Sequence, residues 1–592
     1  MPRPQVSGRG NERFPGLPSD CPGRIPPAAR VFHAAIDFPG QAADVGRRVF
    51  AGAVVEFDYI IVGAGSAGCA LAEGLSADGR HRVLLLEAGG SDRRFWIQTP
   101  LGYGKSYYDR SVNWCYSAEP DDGLAGRVDY WPRGKVLGGS SSINAMVYIR
   151  GHAEDYEDWK RSGNPGWGWD TVLATYRAME DNQAGGDAWR GRGGPLHVAD
   201  VSDRIAGYCR EYIAAGAQAG LAFNADFNGA TQEGVGHFQF TMKDGRRMSA
   251  ARAFLDPARG RANLKIETGA LVTSLVLEGK RAVGVAYDTA AGPQKARARR
   301  EVIVAAGAVN TPQILQLSGI GPGEVLTRHG IAVALENANV GGNMQDHTGI
   351  NYYFRVTVPT LNQRLHSWPG RMLAGAQYLL TRRGPLSLSI NHGGGFFRTD
   401  AGRTRPNMQL YHQAMTAMTF KSETERPLLN PDGFRGMALG LSSCRPTSRG
   451  RIAIASADPR QAPVITANAL GTDHDIGEML DAVKFLRTLA RQPALAAIIE
   501  EELEPGPAIA DDAALVADIR ARSGTVYHPS CTCRMGPDPA DSVVDGRLRV
   551  HGMEGLRIAD ASVFPNIISG NTNAPAMMVG RRAVDLILED AR

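Results

Sequence analysis

The run Ile60-Ile61-Val62-Gly63-Ala64-Gly65-Ser66-Ala67-Gly68 is followed by Glu87, roughly 20 residues on, and together they can hold a dinucleotide. Gly63 permits a tight turn, Gly65 lets the backbone approach a pyrophosphate, and Gly68 lets a helix pack close to a strand. The N–H groups that open the helix offer themselves to phosphate oxygens. Glu87 can accept hydrogen bonds from a ribose. These residues suit NAD and FAD equally. A second segment, Arg133 to Met146, sets Gly138-Gly139 beside Ser140, Ser141 and Ser142, small residues that let backbone N–H donors come close to a flat ligand. Near the C-terminus stands His528, a side chain whose ordinary pKa of about 6.5 suits it to take a proton at working pH. Cys531 and Cys533 beside it raise the question of zinc. Zinc needs three or four converging ligands, and this set offers no fourth, so the cysteines are read as small packing residues and no metal is expected.

The elements around these residues follow from local pattern. Tyr59–Val62 and Val83–Leu86 read as apolar strands flanking a helix, the order of a βαβ unit. Val147-Tyr148-Ile149 reads as a strand. Asn164 to Trp169 forms a turn, with Asp170 as cap of the next helix. Residues 264–306 read as a small β-meander leading into a last core strand, Glu301 to Ala305. Thr311 is a candidate N-cap with Pro312 at the first helical position, for a helix running to about Ser318. Residues 350–520 are richer in aromatic, Met and His residues and read as a sheet with covering helices. Leu556 to Asp560 is strand-like, and Ala574 to Leu588 is helical. The expected division is a disordered extension over 1–54, one domain from 55–160, 250–345 and 540–592, and a second from 161–249 and 346–539.

Composition sets the outer bounds. A chain of 592 residues is long for one core. Its 43% hydrophobic and 21% charged residues are those of a globular protein, and a net charge of +4 points to no nucleic-acid partner. No apolar run approaches the roughly 18 residues that span a bilayer. Seven scattered cysteines argue for a reducing, cytoplasmic setting rather than a disulfide framework.

Several separated segments together resemble the glucose–methanol–choline (GMC) oxidoreductase family. They are Arg133–Gly151, Gly307–Leu315 with Ser318–Gly321, Val340–His347, His528–Gly536, Asp560–Pro565 and Asn571–Asn573. The likeness covers roughly residues 55–592 and is nearest to choline-dehydrogenase-like and aryl- or furanyl-alcohol oxidase branches. It implies an α/β fold with a Rossmann-like FAD-binding domain, and an α+β substrate domain built on an antiparallel sheet. The cofactor is then FAD, with Gly63, Gly65, Gly68 and Glu87 at its ADP half and the Val272 backbone at its adenine. Gly139, Asn144, Ala145 and Met146 would lie along the flavin ring, Asp560 and Ala561 by the pyrophosphate and ribityl chain, and Asn573 at the pyrimidine edge, with Ser66, Ala67, Ala88, Arg133, Leu137, Gly138, Ser140, Ala306 and Gly307 as further cofactor-binding candidates. Some relatives carry a histidine bonded covalently to the flavin where this chain has Ile143, so the FAD is expected to be non-covalent.

The same likeness makes His528 the catalytic base and Asn571 the second catalytic position, where an amide can donate to a developing alkoxide but cannot act as a base. The implied reaction oxidises a primary, aromatic or furanyl alcohol to the aldehyde, with hydride transfer to the flavin and reoxidation by O2 or a quinone-type carrier. Hydroxynitrile lyases and a fatty-acid photodecarboxylase share the fold and stand as alternatives. Val526, Tyr527, His392, Gln409 and Tyr411 are candidates for the substrate pocket. No acidic pair advertises a site for a quaternary ammonium.

Overall fold

Val55–Val62 becomes buried on both faces from Tyr59 onward, and all five residues of Val83–Glu87 are buried, as central parallel strands require. The computed structural model describes residues 55–592 except 206, 208 and 419–429. The expectation of a disordered extension over 1–54 lies outside the described residues.

Two seven-stranded sheets organise the described chain. In the first, Val55–Val62 lies parallel to Val83–Glu87 on one side and to Gly292–Val304 on the other. Leu264–Thr268 extends the parallel part beyond Val83–Glu87. The 13-residue strand Gly292–Val304 serves two partners along its far edge. Its outer part pairs antiparallel with Arg281–Thr289, which pairs in turn with Leu271–Glu278, and its inner end pairs parallel with Leu556–Ile558. Helices Ser66–Leu75 and Asn573–Asp590 cross this sheet in close contact. A Cβ at Gly580 would lie 2.4 Å from the Ala67 carbonyl oxygen, so glycine sets their approach.

The second sheet is antiparallel, in the order Ile499–Glu504, Thr348–Val356, Gly436–Ser443, Met408–Gln413, Asn391–Phe397, Gly234–His237. Its two faces do different work. Ile350, Tyr352, Phe354, Met408 and Leu410 pack into a core with helix Asp473–Ala490. Asn351, Tyr353, Tyr411 and Gln413 lie at alternate positions and line a cavity.

Four local expectations are corrected. The helix at residues 307–317 begins at Gly307, not after Thr311. One of its opening N–H groups is met by a residue remote in sequence: the Asp560 carboxylate accepts from Gly307 N at 2.9 Å and also from the Thr311 hydroxyl at 2.6 Å. Pro312 therefore sits inside the helix. The carbonyl of Ala308, which Pro312 cannot bond, accepts from the Thr532 hydroxyl at 2.7 Å instead. Asp170 is the second residue of helix Trp169–Met179, whose cap position is Gly168, while the Glu157 carboxylate accepts from Trp169 N at 2.8 Å. Val147–Ile149 is extended but forms only an isolated bridge, at Val147, with the Asn228 side-chain amide bonding the Tyr148 carbonyl and Arg150 N–H. Leu264–Thr268 belongs to the parallel core rather than to the meander.

Candidate functional site

A cavity of about 860 Å³ runs between the two sheets, within the range of about 300–1,000 Å³ usual for small-molecule sites. Three helices of 10, 11 and 18 residues start on its wall, at Ser66, Gly307 and Asn573. Their N-terminal N–H groups and dipoles make this wall attractive to an anion such as a pyrophosphate. Ser66 and Asn573 join two of the starts, the hydroxyl donating to Asn573 Oδ1 at 2.8 Å.

Glycine leaves space here in a discriminating way. A Cβ at Gly68 would fall 1.9 Å from the Gly63 carbonyl oxygen, and one at Gly139 (φ +54°) would fall 2.7 Å from Gly65 Cα. These two glycines are required by the protein's own packing. A Cβ at Gly65 meets nothing nearer than 3.9 Å, and one at Gly307 (φ +85°) nothing within 4 Å. Both line the cavity, so what they keep clear is the cavity itself. That emptiness, beside helix starts, fits a bound dinucleotide.

Glu87 closes this region. Its carboxylate accepts from Ala64 N at 3.0 Å and Gly89 N at 2.8 Å, yet burial still pushes its carboxyl up to about 7. Of the residues expected at the cofactor, Gly63, Gly65, Ser66, Ala67, Glu87, Ala88, Arg133, Gly139, Ser140, Asn144, Ala145, Met146, Val272, Ala306, Gly307, Asp560, Ala561 and Asn573 line the cavity. Gly68, Leu137 and Gly138 stand behind the wall. Gly138 N donates to the Ala64 carbonyl at 2.8 Å and so ties the serine-rich segment to the glycine turn.

The proton-handling groups form one directional chain. His347 Nε2 lies 2.9 Å from the Cys444 carbonyl, which can only accept, so this nitrogen carries a hydrogen. Burial holds the His347 pKa down to about 4, and the ring is neutral, which leaves its Nδ1 an acceptor. That Nδ1 lies 3.0 Å from His528 Nδ1, which must therefore be the donor. His528 Nε2 is left with a free lone pair. The Asn571 amide nitrogen donates to it at 3.2 Å, and Asn571 Oδ1 accepts from Gln409 Nε2 at 3.2 Å. Gln409 in turn accepts from the Tyr411 hydroxyl at 2.9 Å. Burial, then His347 and Arg133, hold the His528 pKa well below its ordinary value, so the imidazole is a free base at neutral pH.

The backbone around His528 is fixed from several sides. Asp346 accepts from His528 N at 2.8 Å and from the Thr525 hydroxyl. Arg133 donates to the Tyr527 carbonyl at 2.6 Å, holding a residue whose φ is +70°. His347 and Asp346 were legible only as part of a family-like segment, and no role followed from it. Their adjacency, an acid next to a histidine, is the one signal that could have marked them.

Val526, Tyr527, His528, Asn571 and Tyr411 line the cavity, and Gln409 lies behind Asn571. His392 is corrected: it is buried and points off the cavity, and its neighbours Ile390 and Asn391 line the wall instead. Cys531 and Cys533 are fully buried in the hydrophobic core.

A family model described as GMC oxidoreductase matches residues 57–349, and a second of the same description matches 446–580. The chain is 42% identical over 536 residues to an "alcohol dehydrogenase [acceptor]" of Pseudomonas putida, covering 90% of this chain and 96% of that protein. It is 40% identical over 563 residues to the mitochondrial choline dehydrogenase of Homo sapiens, covering 93% of each. Among solved structures, pyridoxine 4-oxidase from Mesorbium loti superposes with a TM-score of 0.81 at 32% identity, over 89% of this chain and 98% of that one. An FAD-modification variant of Aspergillus oryzae formate oxidase superposes with a TM-score of 0.84 at 27% identity, over 91% and 99%.

Proposed function

Because the chain belongs to the GMC oxidoreductase family, we propose that it binds FAD and oxidises a primary alcohol to the aldehyde, with His528 as base and Asn571 as the group that holds the alcohol oxygen. The observation that carries this reading is the convergence of His528 Nε2 and Asn571 Nδ2, 3.2 Å apart, on the wall of the cavity. An alcohol oxygen that takes the place of this hydrogen bond and reaches both groups donates its proton to the first and accepts a hydrogen bond from the second. Asn571 then stabilises the negative charge that grows on oxygen as the proton leaves. When bound, FAD supplies the acceptor for the hydride from the α-carbon.

The dinucleotide is held by the Ser66, Gly307 and Asn573 helix starts and by Glu87, with Gly65 and Gly307 keeping the backbone close. Ile143 lines the cavity with a hydrocarbon side chain that forms no bond to a flavin, so the FAD is non-covalent. Tyr107, Tyr353, Tyr411, Met415, Val526 and Tyr527 give the cavity aromatic and apolar walls suited to an aromatic or furanyl alcohol. Glu504 also lines it, but it acts with Asp518 on the half-buried Arg522 guanidinium, whose pKa the two acids raise against the effect of burial. Its charge is thus engaged, which favours a neutral alcohol over a quaternary ammonium.

The test is anaerobic and in the dark: mix the FAD-loaded protein with aliphatic, benzylic and furanyl alcohols and choline, and follow the flavin's visible absorbance. Bleaching by a benzylic or furanyl alcohol is expected. It separates alcohol oxidation from lyase or photoenzyme chemistry on the same fold, and admission of air afterwards tells O2 from a quinone-type carrier as second substrate. His528→Ala is expected to retain FAD and lose roughly 10²–10⁴-fold in bleaching rate. Wild-type rates in that variant would sink the base assignment.

A further inference from the structure

Helix Trp368–Thr381 is amphipathic in the wrong sense for a helix packed on its own protein. Its buried residues are Ala374 and Tyr378. Its large hydrophobic residues face outward: Trp368 is 72% exposed, Leu373 69% and Leu380 85%, with Met372 and Leu379 both more than half exposed. The spacing 368, 372, 379 and 373, 380 makes two adjacent ridges, and all five lie within an arc of about 140° on the side away from Ala374 and Tyr378. Phe95 and Trp96, also exposed, stand beside the helix on its Tyr378 side, the Phe95 ring lying 6.3 Å from the Tyr378 ring. A contiguous apolar patch of this kind marks an interaction surface.

The charge around the patch says what covers it. Residues 361–383 contain Arg364, Arg371, Arg382 and Arg383 and no acidic residue. Arg382 lies at the C-terminal end of the helix, over the Tyr378 ring, and Lys105 lies 3.9 Å over the Trp96 ring. Tryptophan and leucine on one face with arginine and lysine at the border are the features of a helix that lies in the interface of an anionic bilayer. The helix has 14 residues, and among the described residues no helix is long and apolar enough to cross a membrane. We propose that this face docks the protein on an anionic lipid surface.

The position of the helix gives that docking a use. On its inner side Ala374 packs in one cluster with Tyr103, Ile390 and Met415, and these three line the cavity. Docking therefore sets the wall of the cavity beside the bilayer, where apolar alcohols and lipid-dissolved quinones concentrate.

The test uses the full-length, FAD-loaded protein and co-sedimentation with vesicles of phosphatidylglycerol and phosphatidylethanolamine, against vesicles of phosphatidylcholine alone. Wild type is expected to pellet with the anionic vesicles and much less with the neutral ones. The double variant Leu373→Glu/Leu380→Glu, altered only at exposed positions, should lose roughly tenfold or more in partition while its bleaching by a water-soluble alcohol stays at the wild-type rate. Arg382→Glu/Arg383→Glu should lose binding to the anionic vesicles in particular. Wild type that stays in the supernatant with both vesicle types overturns the proposal, as does a Leu373→Glu/Leu380→Glu variant that still pellets. Light scattering that shows a wild-type dimer, made monomeric by the same substitutions, with no vesicle binding, assigns the face to a second copy instead and equally overturns it.

Discussion

His347 and His528 face each other through their Nδ1 atoms at 3.0 Å, with the rings at 86° to one another. A neutral histidine fixed by a carbonyl on one side thus dictates which nitrogen of its neighbour is bare. His347→Phe keeps a ring in the buried site but removes the acceptor, leaving the His528 Nδ1 hydrogen unpaired and its tautomer unspecified. The reductive half-reaction is expected to slow by roughly 10–100-fold, the scale of a lost orienting partner. FAD content should be unchanged. Because His347 is one of the groups that lower the His528 pKa, the acid limb of the rate should also move to higher pH. A variant with a normal rate and an unmoved limb would show that His347 only fills space.

The pH profile of the wild type follows from the same site. A base works only when deprotonated. The His528 pKa is held well below 6.5, first by burial and then by His347 and Arg133, so the residue is free base throughout neutral pH. The rate of flavin bleaching by a non-ionising alcohol should therefore be insensitive to His528 between pH 6.5 and 8, and should fall only as pH drops well below that range. Stopped-flow measurement across pH 5 to 9 checks this. An acid limb centred above about 6.5, the ordinary histidine value, would contradict the site as described.

Asn571 separates the two tasks of the site. Asn571→Ala removes the donor to the alcohol oxygen and should cost about 10²–10³-fold in rate, as for a lost oxyanion donor. Asn571→Asp places a carboxylate against His528 Nε2 in place of an amide 3.2 Å away. The negative charge favours the imidazolium, raises the His528 pKa and shifts the acid limb upward. The Asp variant should thus recover rate as pH rises, whereas the Ala variant should stay uniformly slow. Matching pH profiles in the two variants would count against the hydrogen bond.

Two nearby glycines should fail in different ways. Gly68→Ala drives a methyl into the Gly63 carbonyl, 1.9 Å away, and should destabilise the protein by at least about 1–3 kcal/mol whether or not FAD is present. Gly65→Ala meets no protein atom nearer than 3.9 Å. Its apoprotein should melt close to wild type while FAD affinity falls. Melting curves of apo and FAD-loaded forms, with the flavin content of each, distinguish the two. Equal loss of apoprotein stability in both would mean that Gly65 serves the fold rather than the ligand.

Much of the frame was readable before any coordinates because it is local. The glycine turn and its flanking strands depend on residues a few positions apart, and Glu87 follows at the end of the second strand. What was not readable depends on distance along the chain. Thr311 looks like a helix cap because serine and threonine usually are, and only Asp560, 253 residues from Gly307, explains why the helix starts earlier. His392 was misplaced because Gly393-Gly394-Gly395 erases the alternation that would set the phase of its strand. His347 was passed over because its partner is 181 residues away and nothing near it in sequence points to that partner.

The strand Gly292–Val304 is bordered on its inner edge by Leu556–Ile558, from near the end of the chain. A ribosome has made all six other strands of that sheet before that neighbour exists. The sheet that carries the glycine turn, and the helix Asn573–Asp590 that completes the wall, must therefore close late and over long loops, the kind of pairing that slows folding. Cofactor capture is in this sense a post-translational event. A chain that stops before Asn571 loses that donor, one of three helix starts on the cavity wall, and its chance of becoming yellow.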